Sequence, residues 1–324
     1  MLFYVALVIA FMALFIYVLS DRGTAVFLKN FTYARRVRAM VLLCLAVVCV
    51  SLMTMAGMAY IHEATWGPIV EEVALATAFL LLAAIVFVLI NHRRAVVAKA
   101  EKPLVILAVG AHPDDLEIAC GATLAKLSDF GHHVHALVMS DGKQGGDNKV
   151  RPLEARAGAS TMGVLDIEVY SLTDTRLAEH NMDMVRIVEG KIEAIKPDLI
   201  LTHSCNDQHQ DHQAVHFAVL RAARKYPSIL CFESPSVTSS FNPTVFVDIT
   251  DYIDVKVAAV EQHRDQASKR YLRSDRIRGM AVFRGAQGKV ELAEGFEVVR
   301  LKDSIVGLSK MSSKVVDENS VNLI

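Results

Sequence analysis

A histidine, a proline and two adjacent aspartates follow an apolar run in Val109-Gly110-Ala111-His112-Pro113-Asp114-Asp115-Leu116-Glu117. A second polar cluster, Asp207-Gln208-His209-Gln210-Asp211-His212, lies farther along the chain. His112 and Asp115, three apart on a turn that enters a helix, can face one point, and His212 can join them from another strand end. Two histidines and a carboxylate, with a fourth position left for water, form the donor set of a catalytic zinc site. His112, Asp115 and His212 are therefore the expected ligands of Zn2+ or another divalent transition metal. Asp114, beside a ligand but pointing elsewhere, is the expected general base: it can take a proton from metal-bound water whose pKa the cation has lowered. The cation also makes two neighbouring negative charges tolerable. Asp211 is placed to orient an imidazole from behind the ligands, although a helix cap or a surface residue fits it equally.

Simpler readings exist for each cluster. Asp114 or Asp115 can serve as the N-cap of the helix beginning at Leu116, since an aspartate there accepts an orphan backbone N–H, and an HxxH at a helix start can be solvated surface. Capping, however, uses one aspartate and explains neither His112 nor the second cluster. The conjunction favours a metal.

These residues need elements to bring them together. From Pro103 onward short β-rich runs alternate with helical patterns, the signature of βαβ units and a parallel sheet. Strands are predicted over 104–109, 134–139, 167–171, 199–202, 229–232 and 245–249, and helices over 116–130, 153–162, 182–195, 214–225 and 253–270. Near-continuous apolar strands such as Leu104 to Val109 indicate burial on both faces. The expected fold is a Rossmann-like, doubly wound, mostly parallel α/β sheet. In such sheets ligands bind beyond the carboxyl ends of the strands, and the polar segments at 112–115, 140–147, 173–176 and 203–212 all follow strands on that rim. Arg176 and Asp174 are expected to touch substrate there. Gly142, Gly145 and Gly146 lack phosphate-loop spacing and suit either a mobile loop over the site or an ordinary connection. His132, His133 and His135 begin a strand, away from the rim, and read as structural.

The rest of the chain points to a membrane. Of its 324 residues 53% are hydrophobic, and the excess sits before residue 95. Three segments, about 2–19, 39–60 and 73–90, have the roughly 20 apolar residues that a bilayer crossing needs, so residues 1–92 are expected to form a three-span α-helical membrane region. Basic residues fall after the first segment (Arg22, Lys29, Arg35, Arg36, Arg38) and after the third (Arg93, Arg94, Lys99, Lys102). The positive-inside bias then places the N-terminus outside and the catalytic domain in the cytoplasm. Residues 93–102 read as a basic linker, 103–301 as the catalytic domain and 302–324 as a flexible tail. A net charge of −1 argues against a nucleic-acid partner. The five cysteines lack CxxC spacing, and no disulfide is expected.

Ala111-His112-Pro113-Asp114-Asp115-Leu116-Glu117-Ile118-Ala119-Cys120-Gly121 resembles the first motif of the PIG-L/LmbE-like zinc N-deacetylases, of the N-acetylglucosaminyl deacetylase type. Asp207 to His212 resembles their second motif, in which HPDH is usual, and Lys256 to Gln266 a third, helical one that normally ends HxSQ. The resemblance covers roughly 103–285 and implies the same zinc ligands and the same base. It adds His209 as the non-ligand histidine that stabilises the oxyanion or protonates the leaving amine. It also adds Arg151 and Glu154 as an RxxE stretch whose arginine contacts sugar hydroxyls. Gln208 replaces a common arginine, Gln210 a common proline and Asp265 the serine of the third motif, departures that bear on substrate more than on chemistry. The implied reaction is zinc-dependent hydrolysis of an N-acetyl group from an aminosugar. The membrane region adds the lipid bilayer as a partner and a preference for a lipid-linked N-acetylglucosamine or similar sugar, since an anchored enzyme meets lipid headgroups at high effective concentration. Two other readings are a metal-dependent amidase acting on another N-acyl conjugate, and a non-catalytic membrane interaction protein with a degenerate metal site.

Overall fold

The computed structural model describes residues 2–61, 67–93 and 99–302. The chain divides into two compact units, Met1–Arg94 and Ala95–Ile324. Residues 94–98 of the expected linker, and the expected tail after Lys302, lie outside the described residues.

The first unit is helical: α1 (Leu2–Leu19), α2 (Asp21–Asn30), α3 (Ala34–Ile61) and α4 (Gly67–Asn91). Ser20 ends the apolar run of α1 and caps α2, its Oγ accepting from Gly23 N at 3.2 Å, and the two helices bend by 72° there. Arg38 donates from Nε to Val18 O and from Nη2 to Leu19 O, satisfying carbonyls that the end of α1 leaves open. Among the described residues one helix, Ala34–Met55, is long and apolar enough to cross a membrane; the bent α1–α2 pair supplies up to one more. The expected three spans are corrected accordingly. The first apolar segment breaks at a serine cap and turns away, and the described apolar part of the third, Leu75–Asn91, is too short.

The second unit carries one seven-stranded sheet in the order β3-β2-β1-β4-β5-β7-β6. Its strands are β1 (Val105–Gly110), β2 (His133–Ser140), β3 (Asp166–Leu172), β4 (Leu199–Thr202), β5 (Ile229–Phe232), β6 (Val245–Asp248) and β7 (Ala293–Arg300). The helices are α5 (Asp115–Asp129), α6 (Arg151–Thr161), α7 (Asn181–Ile195), α8 (Gln210–Ala222), α9 (Ile253–Val260) and α10 (Ser274–Gly288). Strands β1 to β5 pair in parallel, with Ile106 opposite both Val134 and Leu199. Strand β7 runs antiparallel to β5 and β6. The sheet is thus mixed, with a parallel body. Leu107, Val109, Leu137, Met139 and Ile200 pack from it onto Leu177 of the 3-10 turn 177–180 and onto Met184, Val188 and Val219 of α7 and α8. Truncating such a side chain to alanine typically costs about 2–5 kcal/mol.

Two departures from the expected elements matter for the site. The helix expected over 253–270 stops at Val260, followed by two short 3-10 turns at 264–266 and 270–272. The buried His263 side chain turns to Glu117, Nε2 to Oε1 3.3 Å, and Asp265 N donates to Glu154 Oε1 at 3.1 Å. Tertiary contacts stop a helix that no proline or glycine would have broken. Strand β7 was not expected, because Glu294 and Glu297 interrupt its apolar pattern. Both glutamates are used: Glu294 accepts from Ala122 N and Thr123 N past a kink of α5 at Cys120 and pairs with Lys256, while Glu297 holds Ser204 and Asn206.

Candidate active site

Strand β1 ends at Gly110 and the chain turns through Ala111-His112-Pro113-Asp114 into α5. Asp114 takes a left-handed backbone, φ 119°, a conformation that costs a non-glycine residue about 1–3 kcal/mol. Neither aspartate acts as the alternative capping reading supposed. Asp114 occupies the cap position but makes no side-chain cap hydrogen bond. Asp115 Oδ2 reaches back instead, accepting from Ala111 N at 2.9 Å and His112 N at 2.7 Å. The same oxygen lies 3.1 Å from His203 Nε2. One carboxylate oxygen is thereby saturated by donors, and Oδ1 is left toward His212 Nε2, 3.4 Å away.

The second cluster enters from the end of β4 and the start of α8. Asp207, buried, lies 2.9 Å from His212 Nδ1 and is itself held by Ser234, by Ser236 Oγ at 2.7 Å and by His209 N at 2.9 Å. A proton fixed on Nδ1 by that carboxylate leaves the Nε2 lone pair free. His112 is arranged the opposite way. Its Nε2 lies 3.1 Å from Asp211 Oδ2 and 3.2 Å from Asp174 Oδ1, so Nδ1, 3.5 Å from Asp115 Oδ2, carries the lone pair. Asp211 is fully buried and also accepts from Thr175 N and Leu177 N, tying the segment after β3 to α8. His209 caps α8, its Nδ1 accepting from Asp211 N at 3.2 Å, and stacks on His212 with ring centroids 4.6 Å apart. Its neutral form therefore carries the proton on Nε2.

The carboxylates around the cluster favour positive charge on it, and each imidazole becomes a ligand by giving up a proton when a cation binds. Burial works to lower the pKa of His212, yet Asp115 and Asp207 raise it to about 9. His112 is likewise held well above its usual value, because Asp115, Asp174 and Asp211 outweigh burial. Asp115 stays well below the carboxylate range despite burial, through His212 and His203. Burial, and then His212, push His203 down to about 4, and burial lowers His209 as well. Asp114 is pushed up to about 6, by burial and then by the charge of Asp115.

These residues fit a divalent cation. His112, Asp115 and His212 each offer one ligand atom, all within 4.8 Å of one another and all on buried side chains. In their neutral form the two imidazoles offer one lone pair each, which with the spare oxygen of Asp115 makes a nitrogen and oxygen donor set suited to zinc, and the second nitrogen of each imidazole is fixed by a carboxylate, as is usual for metal-binding histidines. Asp174, Asp207 and Asp211 add negative charge around the cluster, which a cation would neutralise.

A cavity of about 330 Å3 opens over this cluster, lined by His112, Asp114, Asp115, His209, His212 and Arg151 among others. Arg151 is 3% exposed. It donates from Nη1 to Gly142 O at 2.7 Å and from Nη2 to Pro113 O at 2.8 Å, with Asp114 Oδ1 at 3.4 Å. Gly142 makes this possible: φ is +70°, and a Cβ there would sit 2.1 Å from Arg151 Nη1. The glycine-containing loop is fastened further by Gln144 N to Asp174 Oδ2 and by Gln266 Nε2 to Gly145 O. Asp174 lines the cavity, whereas Glu154 and Arg176 are not among its lining residues. Glu154 caps the 264–266 turn, and Arg176 is exposed beside Glu179. His203, Asp207, Ser234 and Ser236 carry site functions that sequence reasoning did not assign. The position of Asp207 five residues before His212 was the available signal for it.

A family model described as PIG-L, GlcNAc-PI de-N-acetylase, matches residues 107–223. An uncharacterized deacetylase, YaiS, of Escherichia coli is 38% identical over 177 residues, covering 52% of this chain and 96% of that protein. Diacetylchitobiose deacetylase of Thermococcus kodakarensis is 29% identical over 223 residues, covering 60% of this chain and 82% of its own length. Among solved structures, a 4-carboxy-2-hydroxymuconate hydratase, GalB, from Pseudomonas putida superposes with a TM-score of 0.54 at 22% identity, covering 61% of this chain and 97% of that one. At that identity the likeness concerns the fold alone, which evidently serves more than one chemistry.

Proposed function

The chain belongs to the PIG-L deacetylase family, and on that premise we propose that it hydrolyses the acetamide of an N-acetylated aminosugar, releasing acetate and a free amine. The observation that carries the reading is the pairing of a donor triad, His112, Asp115 and His212, with a neighbouring carboxyl, Asp114, whose Oδ2 is buried and has no partner. Zinc held by that triad would supply Lewis-acid polarisation of the carbonyl and a lowered pKa for water.

The protein's own groups do the remaining work. Asp114 accepts the proton of the attacking water through Oδ2, a role suited to a carboxyl whose pKa burial has moved toward neutrality. Arg151 keeps Oδ1 turned away from that task. His209, with Nδ1 committed to Asp211 N, presents Nε2–H toward the cavity to stabilise the oxygen on which charge develops or to meet the departing amine. Asp211 and Asp174 fix the His112 ring, and Asp207 fixes His212.

The substrate is further proposed to be lipid-linked and presented at a bilayer. The helix Ala34–Met55 supports attachment, and Arg93, Arg94, Lys99 and Lys102 support a cytoplasmic position for the catalytic unit. The experiment is acetate release from soluble and lipid-linked N-acetylhexosamines by the full chain, with and without a chelator. Chelator-sensitive acetate is expected. Its absence from every sugar, with metal bound, would reject the reaction, and equal rates on both substrate kinds would reject the lipid preference.

A further inference from the structure

Helix α10 sorts its side chains against the usual rule. Ile277, Ala281, Arg284 and Gly285 are buried on its inner face, while Arg276, Met280 and Phe283, at i, i+4 and i+7, form the opposite stripe. Met280 and Phe283 stand 47% and 54% exposed. A helix on a surface that meets only water turns polar residues outward; here a guanidinium is buried and two large apolar chains are not. The 3-10 turn before α10 extends the same face with Arg270 and Tyr271, which line one groove together with Arg276, Met280 and Phe283.

The face is also basic. Each carboxylate of that groove is committed to another cation: Asp275 to Arg273 at 3.0 Å, Glu233 to Arg284 at 2.6 Å and Glu294 to Lys256 at 2.6 Å. Arg270 and Arg276, both exposed, therefore keep no acidic partner among the described residues. Exposed apolar chains flanked by free arginines are the means by which interfacial helices hold an anionic bilayer. The free guanidinium groups, and the membrane-length helix Ala34–Met55 in the same chain, single out lipid over another protein as the occupant.

We propose that the catalytic unit docks on an anionic bilayer through this face, with Met280 and Phe283 entering the headgroup layer and Arg270 and Arg276 meeting lipid phosphates. The proposal rests on the membrane attachment in the functional reading and is independent of the reaction. Tyr271 also lines the catalytic cavity, so docking holds the mouth of that cavity at headgroup level.

The test uses the full chain in phosphatidylcholine vesicles with and without phosphatidylglycerol. The single tryptophan is changed, Trp66→Phe, and Phe283→Trp supplies the reporter. Lipid brominated on its acyl chains should quench the reporter, more strongly when phosphatidylglycerol is present. Leu165→Trp, at an 85% exposed position just before β3, should stay unquenched. Arg270→Gln together with Arg276→Gln should cut the ratio of docked to undocked chain about 25-fold, about fivefold for each cation taken from an anionic surface. Neither arginine lines the catalytic cavity, so acetate release from a soluble acetamido sugar should not change. Hydrogen exchange of the unsubstituted chain reads the same contact, and the amides of 274–283 should slow when phosphatidylglycerol is added. A vesicle-bound chain whose reporter is unquenched overturns the proposal, as does an emission shift to shorter wavelength without quenching, which would mean that protein covers the face. Quenching that is equal in both lipids and survives the double substitution overturns it too. Docking without acetate from any sugar would overturn the reaction and leave the face standing.

Discussion

Arg151 separates two accounts of the site, because the family resemblance makes it a contact for sugar hydroxyls and the structure gives its guanidinium other partners. Replacing it by methionine keeps most of the volume and removes every donor. Gly142 O and Pro113 O lose partners at 2.7 and 2.8 Å, and each carbonyl left unsatisfied in a buried setting costs about 1–3 kcal/mol. Asp114 loses its neighbouring cation at 3.4 Å, and breaking a buried pair from one side typically costs about 3–5 kcal/mol in all. Because these costs overlap, Arg151→Met should destabilise the catalytic unit by about 3–5 kcal/mol. Hydrogen exchange of the slowest amides in β1 and β2 reads that loss directly, within the unit concerned. In the acetate assay kcat should fall with little change in KM, since the loop and the base are displaced before substrate arrives. Arg151→Lys should recover only part of either quantity, a single ammonium being unable to fork between two carbonyls. Unchanged exchange with a raised KM and normal kcat would refute the clamp and return Arg151 to the substrate.

Three further outcomes follow from the same geometry. Asp114→Asn should retain bound metal and lose about 100- to 10,000-fold in kcat, measured by metal analysis and acetate release; wild-type turnover would remove Asp114 as base. His212→Ala should lose the metal, whereas Asp207→Asn, which leaves all three ligands in place, should weaken metal affinity about 10- to 100-fold in a competition titration; an unaltered affinity would make Asp207 a bystander. At the β3 edge of the sheet, hydrogen bonds from Lys191 hold Asp166 and Glu168 below their usual values. The folded pKa values are depressed, so this contribution is complete above the unfolded carboxylate range near pH 4 and is lost as the pH falls through the lower folded values. Lys191→Met should flatten the acid dependence of exchange in β3, and an unchanged profile would show that the pairing contributes nothing there.

What could be read from the sequence followed from local pattern. The parallel body of the sheet announced itself through continuous apolar strands, and the rim position of His112, Asp115, His209 and His212 followed from where those strands end. The unread parts depend on partners distant in sequence. Glu294 reads as a strand breaker until the kink in α5 and the ammonium of Lys256 are beside it. Helix α9 ends where it does because His263 finds Glu117, well over a hundred positions back along the chain. Arg151 looks solvent-seeking until Gly142 leaves room for its guanidinium. His203, never singled out, acts through Asp115 rather than on a substrate, and nothing in its neighbours reveals that.

The paired aspartates show why strain belongs in this site. In ordinary helical or extended backbone, consecutive carboxylates would either cap α5 together or compete for the same cation. With φ at 119°, Asp114 turns its carboxylate to Arg151 while Asp115 folds back onto Ala111 N and His112 N. The backbone cost of about 1–3 kcal/mol gives the two carboxylates different surroundings: Asp115 has one oxygen saturated by donors and the other turned to His212 Nε2, and Asp114 keeps a buried oxygen without a partner. The buried, unpartnered Oδ2 of Asp114 beside His112, Asp115 and His212 is the atom to which the proposed reaction assigns the proton of the attacking water, and Asp114→Asn is the substitution that tests that assignment.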